Sequence, residues 1–233
     1  MKRHVVSALA LLAAVGAASA DTSNLLTNGG FETTVSAIPV SGWLPMPATS
    51  NEISPWVVGG ADLDAVDVVN GDLWAAHTGS NSLDLNGANV GWVQQSFGTV
   101  AGEWYTLDFW MSGNAGAHNE YRLVDKEMRV FVTTLQGGGV YQDFIFTADN
   151  SFDDMMWESR SWTFQAPADT TIIKFESLSG TSHGCGPCID DVYVTSTEDV
   201  LMTSTAPVPV PGALLLAGLG TAIVGWVRGR KLS

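Results

Sequence analysis

Through the middle of the chain, large apolar side chains alternate with polar ones over short stretches and rarely recur at the three-and-four spacing of an amphipathic helix. From Trp104 to Met111, Tyr105, Leu107, Phe109 and Met111 share one face, and Trp104, Thr106, Asp108 and Trp110 share the other. Both faces carry large groups, which predicts a central strand with Trp104 and Trp110 in the core, and the strand pattern around Trp162 predicts the same for it. Met128, Val130 and Val132 alternate with Glu127, Arg129 and Phe131, and Thr171, Ile173 and Phe175 with Ile172, Lys174 and Glu176. These read as strands with one wet face. Shorter runs over 24–32, 63–69, 82–86, 90–97, 140–146, 157–164 and 189–194 add further strands, punctuated by Asn28-Gly29-Gly30, Asn70-Gly71, Asn86-Gly87 and Gly137-Gly138-Gly139. About ten short strands at this spacing predict an all-β fold, an antiparallel β-sandwich and most simply a jelly roll.

The two ends break the pattern. Residues 1–20 open on Lys2, Arg3 and His4, run through small apolar side chains from Val5 to Ala18, and close on Ala18-Ser19-Ala20, the small-x-small form that signal peptidase reads. The mature protein is predicted to begin at Asp21. At the other end, Val208-Pro209-Val210-Pro211 leads into an apolar run of 16 residues, 212–227, and then Arg228-Gly229-Arg230-Lys231. As a helix that run is about 24 Å long, enough to cross a ~30 Å hydrocarbon layer only with help from the residues before it. The terminal cations hold that end on the cytoplasmic side and leave the rest of the chain outside. This layout resembles the PEP-CTERM sorting signal of exopolysaccharide-producing Gram-negative bacteria, which implies cutting by an exosortase-type transpeptidase. The family's usual Glu between the prolines is Val210 here, and a plain tail anchor is the alternative. The predicted organisation is a signal peptide over 1–20, a sandwich over 21–195, a flexible Ser/Thr-rich linker over 196–207, and a sorting signal over 208–233 with its transmembrane helix at 212–227.

Charge sharpens the picture of the segment between. All 24 acidic residues fall between 21 and 207, against only Arg122, Lys126, Arg129, Arg160 and Lys174, which argues against nucleic acid and anionic lipid as partners. Eight of the nine tryptophans lie there too, more than a core of this size needs. Trp43, Trp56, Trp74 and Trp92 sit in loop-rich stretches with Asn81, Asn86, Asn89, Gln94 and Asn114 as polar neighbours. An exposed aromatic plane flanked by amides is what stacking on a sugar ring requires, and Trp74 is the first candidate.

Motifs for catalysis are weak. Cys185-Gly186-Pro187-Cys188 has the letters of a thioredoxin redox loop, but a strand-like segment follows it rather than a helix, and no βαβ pattern surrounds it. In an exported protein the pair reads instead as a local disulfide. His77, His118 and His183 lack zinc-ligand spacing, and there is no G-x-S-x-G elbow.

Several stretches in order carry a resemblance: Asn24-Leu25-Leu26-Thr27-Asn28-Gly29-Gly30-Phe31-Glu32, then Gly42-Trp43, Ser82-Leu83-Asp84-Leu85-Asn86-Gly87, Gln94-Gln95-Ser96-Phe97, Tyr105-Thr106-Leu107-Asp108-Phe109, Ser112-Gly113-Asn114 and Gly186-Pro187-Cys188-Ile189-Asp190-Asp191-Val192. The chain resembles galactose-binding-like, carbohydrate-binding-module-like jelly rolls and, within them, the bacterial choice-of-anchor C family. The resemblance implies a non-catalytic domain exported to the cell envelope or extracellular matrix, with extracellular polysaccharide as partner and the membrane reached through the C-terminal helix. It also implies a structural calcium tying the first strand to the last, held by Glu32, the Gly30 carbonyl and Asp190 or Asp191. Two other readings stand beside it: a structural surface protein without glycan affinity, and a polysaccharide-active enzyme.

Overall fold

The alternation is realised in a computed structural model that describes residues 23–60, 64–116, 125–180 and 184–197. The predicted signal peptide, nearly all of the predicted linker, and the predicted sorting signal with Pro209, Pro211, Arg228, Arg230, Lys231 and the 212–227 run lie outside the described residues, as do His118 and His183. Among the described residues no helix is long and apolar enough to cross a membrane.

Eleven strands follow one another among the described residues: β1 (Trp43–Met46), β2 (Val57–Gly60), β3 (Val66–Asn70), β4 (Asn81–Asp84), β5 (Gly91–Gly98), β6 (Trp104–Gly113), β7 (Lys126–Thr133), β8 (Gly139–Phe146), β9 (Glu158–Gln165), β10 (Thr170–Ser177) and β11 (Pro187–Ser196). They form two antiparallel sheets, a six-stranded one in the order β1-β3-β4-β11-β6-β9 and a five-stranded one in the order β2-β5-β10-β7-β8. The fold is therefore an all-β two-sheet sandwich. Between the sheets, Phe31, Trp56, Phe109, Phe144 and Phe175 form a chain of ring contacts 5.0–6.2 Å apart, among Val58, Leu83, Leu107, Val130, Ile173 and Ile189. The strands with one wet face behave as alternation predicts, since Met128, Val130 and Val132 are buried while Glu127 is exposed and Arg129 and Phe131 are half-buried.

The first predicted strand is corrected. Residues 24–32 take no strand pairing, because Asn28 and Phe31 have positive φ values of 55° and 58° and break the extension. The segment is fastened by other means: Leu25 N–H donates to the Val194 carbonyl at 2.9 Å, and the Asn24 side chain bridges Val192 and Val194. Trp104, placed in the core from the pattern, is 50% exposed, because the β6 residues facing the other sheet are its odd-numbered ones and Trp104 starts the strand on the opposite side. Trp110 and Trp162 are half-buried.

The outer face of the six-stranded sheet is covered as well. Val69, Trp74, Met155 and Cys188 form a second small core there, with Leu73, Phe152 and Trp157 packed on it. Val69 and Cys188 reach it because they alternate with Val68 and Ile189, which point into the main core.

Candidate functional site

Three places gather the chemistry-bearing side chains. The first is the outer face of the five-stranded sheet. Register sets Gln94, Lys174, Phe131 and Tyr141 side by side across β5, β10, β7 and β8, and Trp92, Glu176, Arg129 and Asp143 in the next row. Trp92 lies flat because its neighbour on β2 is Gly59, where any side chain would overlap the indole. The Lys174 ammonium sits 4.8 Å from the centre of the Trp92 ring and 5.1 Å from that of Phe131, and the Arg129 guanidinium 4.0 Å from that of Tyr141, which is 57% exposed. These cations are also paired. Arg129 gives Asp143 a two-pronged bond at 2.6 and 2.8 Å, and Lys174 bonds Glu176 at 2.8 Å. The Arg129 bond holds the Asp143 carboxyl below the usual carboxylate range. The result is a row of aromatic surfaces edged by charges that neutralise one another.

The second is the junction where the start of the domain meets β11. The Glu32 carboxylate accepts the N–H groups of Ser80 and Asn81 at 2.8 and 3.0 Å. Asp190 accepts those of His77 and Thr78, while Asp191 bonds the Thr78 hydroxyl and the His77 ring at 2.6 Å. Strict alternation would send Asp190 and Asp191 to opposite faces. An extra residue between the Asp190–Trp110 and Tyr193–Asp108 pairs bulges β11, gives Asp191 a φ of 48°, and turns both carboxylates to the 77–78 turn. Of the five non-glycine residues with positive φ among the described residues, three, Asn28, Phe31 and Asp191, lie here, a concentration of backbone strain typical of functional positions. Burial, then the neighbouring Asp191 charge, pushes Asp190 up to about 8. The oxygen-rich set Glu32, Asp190, Asp191 and the backbone of Gly30, which Asp191 Oδ1 approaches, suits a hard cation in chemistry. Its carboxylates are engaged by protein donors, however, and among the described residues no three His, Cys, Asp or Glu side chains gather as a metal-ligand group.

The third is a cavity of about 530 Å³ on the outer side of the six-stranded sheet, between Trp43, Trp74 and Phe152 and the carboxylates Asp64 and Asp67. Cys185 borders it. The predicted Cys185–Cys188 disulfide is corrected: both are free, buried thiols. Cys188 points from β11 into the second core with Val69 and Trp74, while the Cys185 sulfur lies against Gly116. Burial raises both thiol pKa values, with the Asp84 charge adding to it, the opposite of an activated redox cysteine.

Of the four loop tryptophans, Trp43 is 41% exposed beside the cavity and Trp92 half-buried on the aromatic row. The expectation of an exposed plane is corrected for the other two. Trp56 is 1% exposed in the main core, its N–H tied to the Asn28 carbonyl, and Trp74 is 2% exposed, its N–H tied to Ser82. Asn81 and Asn86 are buried too, spent on the carbonyls of Phe31 and Ser179. Phe131, Tyr141, Arg129 and Lys174 were not singled out by sequence reasoning. The signal was present in the alternation, which put an aromatic ring on the wet face of β7 beside the wet Lys174 of β10.

Halomucin of Haloquadratum walsbyi is 28% identical over 212 residues, 88% of this chain, although the chain spans only 2% of that protein's length. Among solved structures, TmCBM61 in complex with β-1,4-galactotriose matches 75% of this chain and 99% of its own at 19% identity, with a TM-score of 0.48. A family 35 carbohydrate-binding module from Clostridium thermocellum matches 66% and 98% at 15% identity, with a TM-score of 0.44. Both likenesses are too loose to carry a ligand or a site across. The family match is firmer: residues 24–195 match DUF642, described as a protein of unknown function, and the chain belongs to that family.

Proposed function

We propose that this is a non-catalytic, exported glycan-binding protein whose sandwich holds extracellular polysaccharide on the outer face of the five-stranded sheet. The observation that carries the reading is the aromatic group on one sheet face, Phe131 and Tyr141 on neighbouring strands with Trp92 in the next row on β5, and Gln94, Glu176 and Asp143 alongside to meet hydroxyl groups. Trp92 and Phe131 are on strands two apart and two residues out of register, roughly 12 Å at the usual strand spacing and rise, which lets an extended chain lie diagonally across both rings. The signal peptide and PEP-CTERM-like tail support export to a Gram-negative cell envelope or matrix with exosortase processing, a part of the proposal that rests on the sequence alone. Calcium at Glu32, the Gly30 carbonyl, Asp190 and Asp191 belongs to the same proposal, supported by the oxygen donors and the strained backbone that collect there.

The test is affinity electrophoresis of the mature chain through a panel of bacterial and plant polysaccharides. Retardation on at least one glycan is expected, weakened about tenfold by Tyr141→Ala or Trp92→Ala, since one stacking contact contributes about 1–1.5 kcal/mol. Retention on none of them would favour a structural surface protein, and shortening of a polysaccharide during the run would favour an enzyme.

A further inference from the structure

The outer face of the six-stranded sheet holds an arrangement that folding alone does not require. Asp67 on β3 stands directly opposite Asp84 on β4, two acids that repel one another once both are ionised. Neither carboxylate is freely solvated, and Asp64 crowds the same place. Oδ1 of Asp64 and Oδ1 of Asp67 are buried, and no donor faces them apart from the proton that Asp67 can share with Asp64. Such orphaned acceptors are expensive unless something supplies donors.

Beside them lies the cavity of about 530 Å³, walled by Trp43, Leu73, Trp74 and Phe152. Its size suits a sugar unit. The side-chain donors close by are already spent. Asn114 gives its N–H groups to Asp84 and to the Gly184 carbonyl, Trp74 gives its own to Ser82 at 3.0 Å, and Lys126 gives to the Cys185 carbonyl at 2.7 Å. Among the described residues that line the cavity there is no Lys, Arg or His. The described lining therefore suits an occupant that brings both donors and positive charge. A metal ion would make no use of the aromatic walls, whereas an organic cation gains from carboxylates and ring faces together.

We propose that this cavity binds a glycan's amino sugar bearing a free ammonium, which contacts Asp64 and Asp67 while the sugar ring packs against Trp43 and Phe152. This rests on the glycan-binding reading and adds a second, chemically distinct subsite to it. The open row of the five-stranded sheet accepts a chain lengthwise, and the cavity selects one charged unit.

The experiment is calorimetric titration of glucosamine, N-acetylglucosamine and glucose into the full chain. Glucosamine should saturate, and acetylating or removing the amine should weaken binding about tenfold or more, as loss of a charge-assisted bond implies. An ammonium beside Asp67 favours its ionised form, so Asp67→Asn, which keeps the shape but cannot ionise, should fold and yet lose at least tenfold for glucosamine. Trp43→Ala, at a 41% exposed residue, is the second variant and should weaken it as well, while Leu135→Ala, at a 78% exposed position far along the β7–β8 turn, should change nothing. Equal binding of the three sugars, binding of none, or glucosamine binding untouched by both variants would overturn the proposal. Retention on a neutral polysaccharide, measured on the same preparation, separates the two readings: its persistence while glucosamine fails removes the cavity subsite and leaves the aromatic row standing.

Discussion

Asp67 and Asp84 keep their protons in a range where an ordinary aspartate has lost its own. Burial comes first for both, and for Asp67 the charges of Asp84 and Asp64 add to it, moving Asp67 from 3.8 to about 8 and Asp84 to about 7. A carboxyl whose pKa is raised by folding stabilises the native state below its unfolded value and loses that contribution as pH climbs through the folded one. Between about pH 4 and 8 the unfolded chain releases protons that the folded chain keeps, so stability falls as pH rises, by up to roughly 1.4 kcal/mol per pH unit for each such proton. The Tm of the purified domain should therefore drop between pH 5 and pH 9, and Asp67→Asn should flatten the slope. A Tm that rises over this range would contradict the buried, donor-poor setting of these groups. None of this was legible in the sequence, where Asp67 and Asp84 look like any strand aspartates. Burial of Trp56 and Trp74 was hidden for a related reason. A lone aromatic in a turn-rich stretch has no alternating neighbours to say which way it faces, and only the tertiary contacts with Phe31, Phe175 and Phe152 decide it.

At the scale of elements, the strands that carry strong alternation with one wet face, β7 and β10, could be read directly, because period two then leaves a single consistent register, whereas β6 was legible as a strand but its large groups on both faces hid that Trp104 faces out. β1 and β2 could not. Each has four residues, and Pro45 in one and Gly59 and Gly60 in the other look like loop punctuation. The β11 bulge was also unreadable, since nothing in Asp190-Asp191 marks an extra residue. Glu32 and the Asp190-Asp191 segment, linked through the family resemblance, each bond the 77–81 turn, but among the described residues they do not gather as a metal-ligand group. Gly79 makes that turn possible, with a φ of 64° and the Glu32 carboxylate in the space a side chain would need. Gly79→Ala should cost about 1–3 kcal/mol of stability in denaturant titration. Gly71→Ala, where a methyl group meets nothing, should stay within about 0.5 kcal/mol. If calcium bridges this junction, millimolar calcium should raise Tm and a chelator reverse it in the native sequence, with both responses lost in Glu32→Gln. A Tm indifferent to calcium would show that the protein donors alone satisfy these carboxylates.

Over the whole molecule, charge is distributed unevenly in a way that constrains the ligand. The segment 21–207 carries 24 acids against five bases, and two of those bases, Arg129 and Lys174, stand on the aromatic face of the five-stranded sheet with their charges matched by Asp143 and Glu176. That face is close to neutral on a strongly negative body. A polyanionic glycan would meet the repulsion of the body without an unpaired cation to receive it, whereas a neutral glycan meets stacking surfaces and paired charges that need not be stripped of their partners. Stacking is insensitive to ionic strength, while long-range repulsion is screened over a Debye length that shrinks from about 10 Å at 0.1 M salt to 3 Å at 1 M. Retention on a neutral polysaccharide should accordingly stay constant as salt is raised from roughly 0.1 to 1 M, and any retention on an acidic one should be weak at low salt and improve with it. The opposite pattern, tight binding of an acidic polysaccharide that salt releases, would mean that Arg129 and Lys174 leave Asp143 and Glu176 to take up the ligand's anions, and the face would then have to be read as an ion-exchange surface rather than a stacking one.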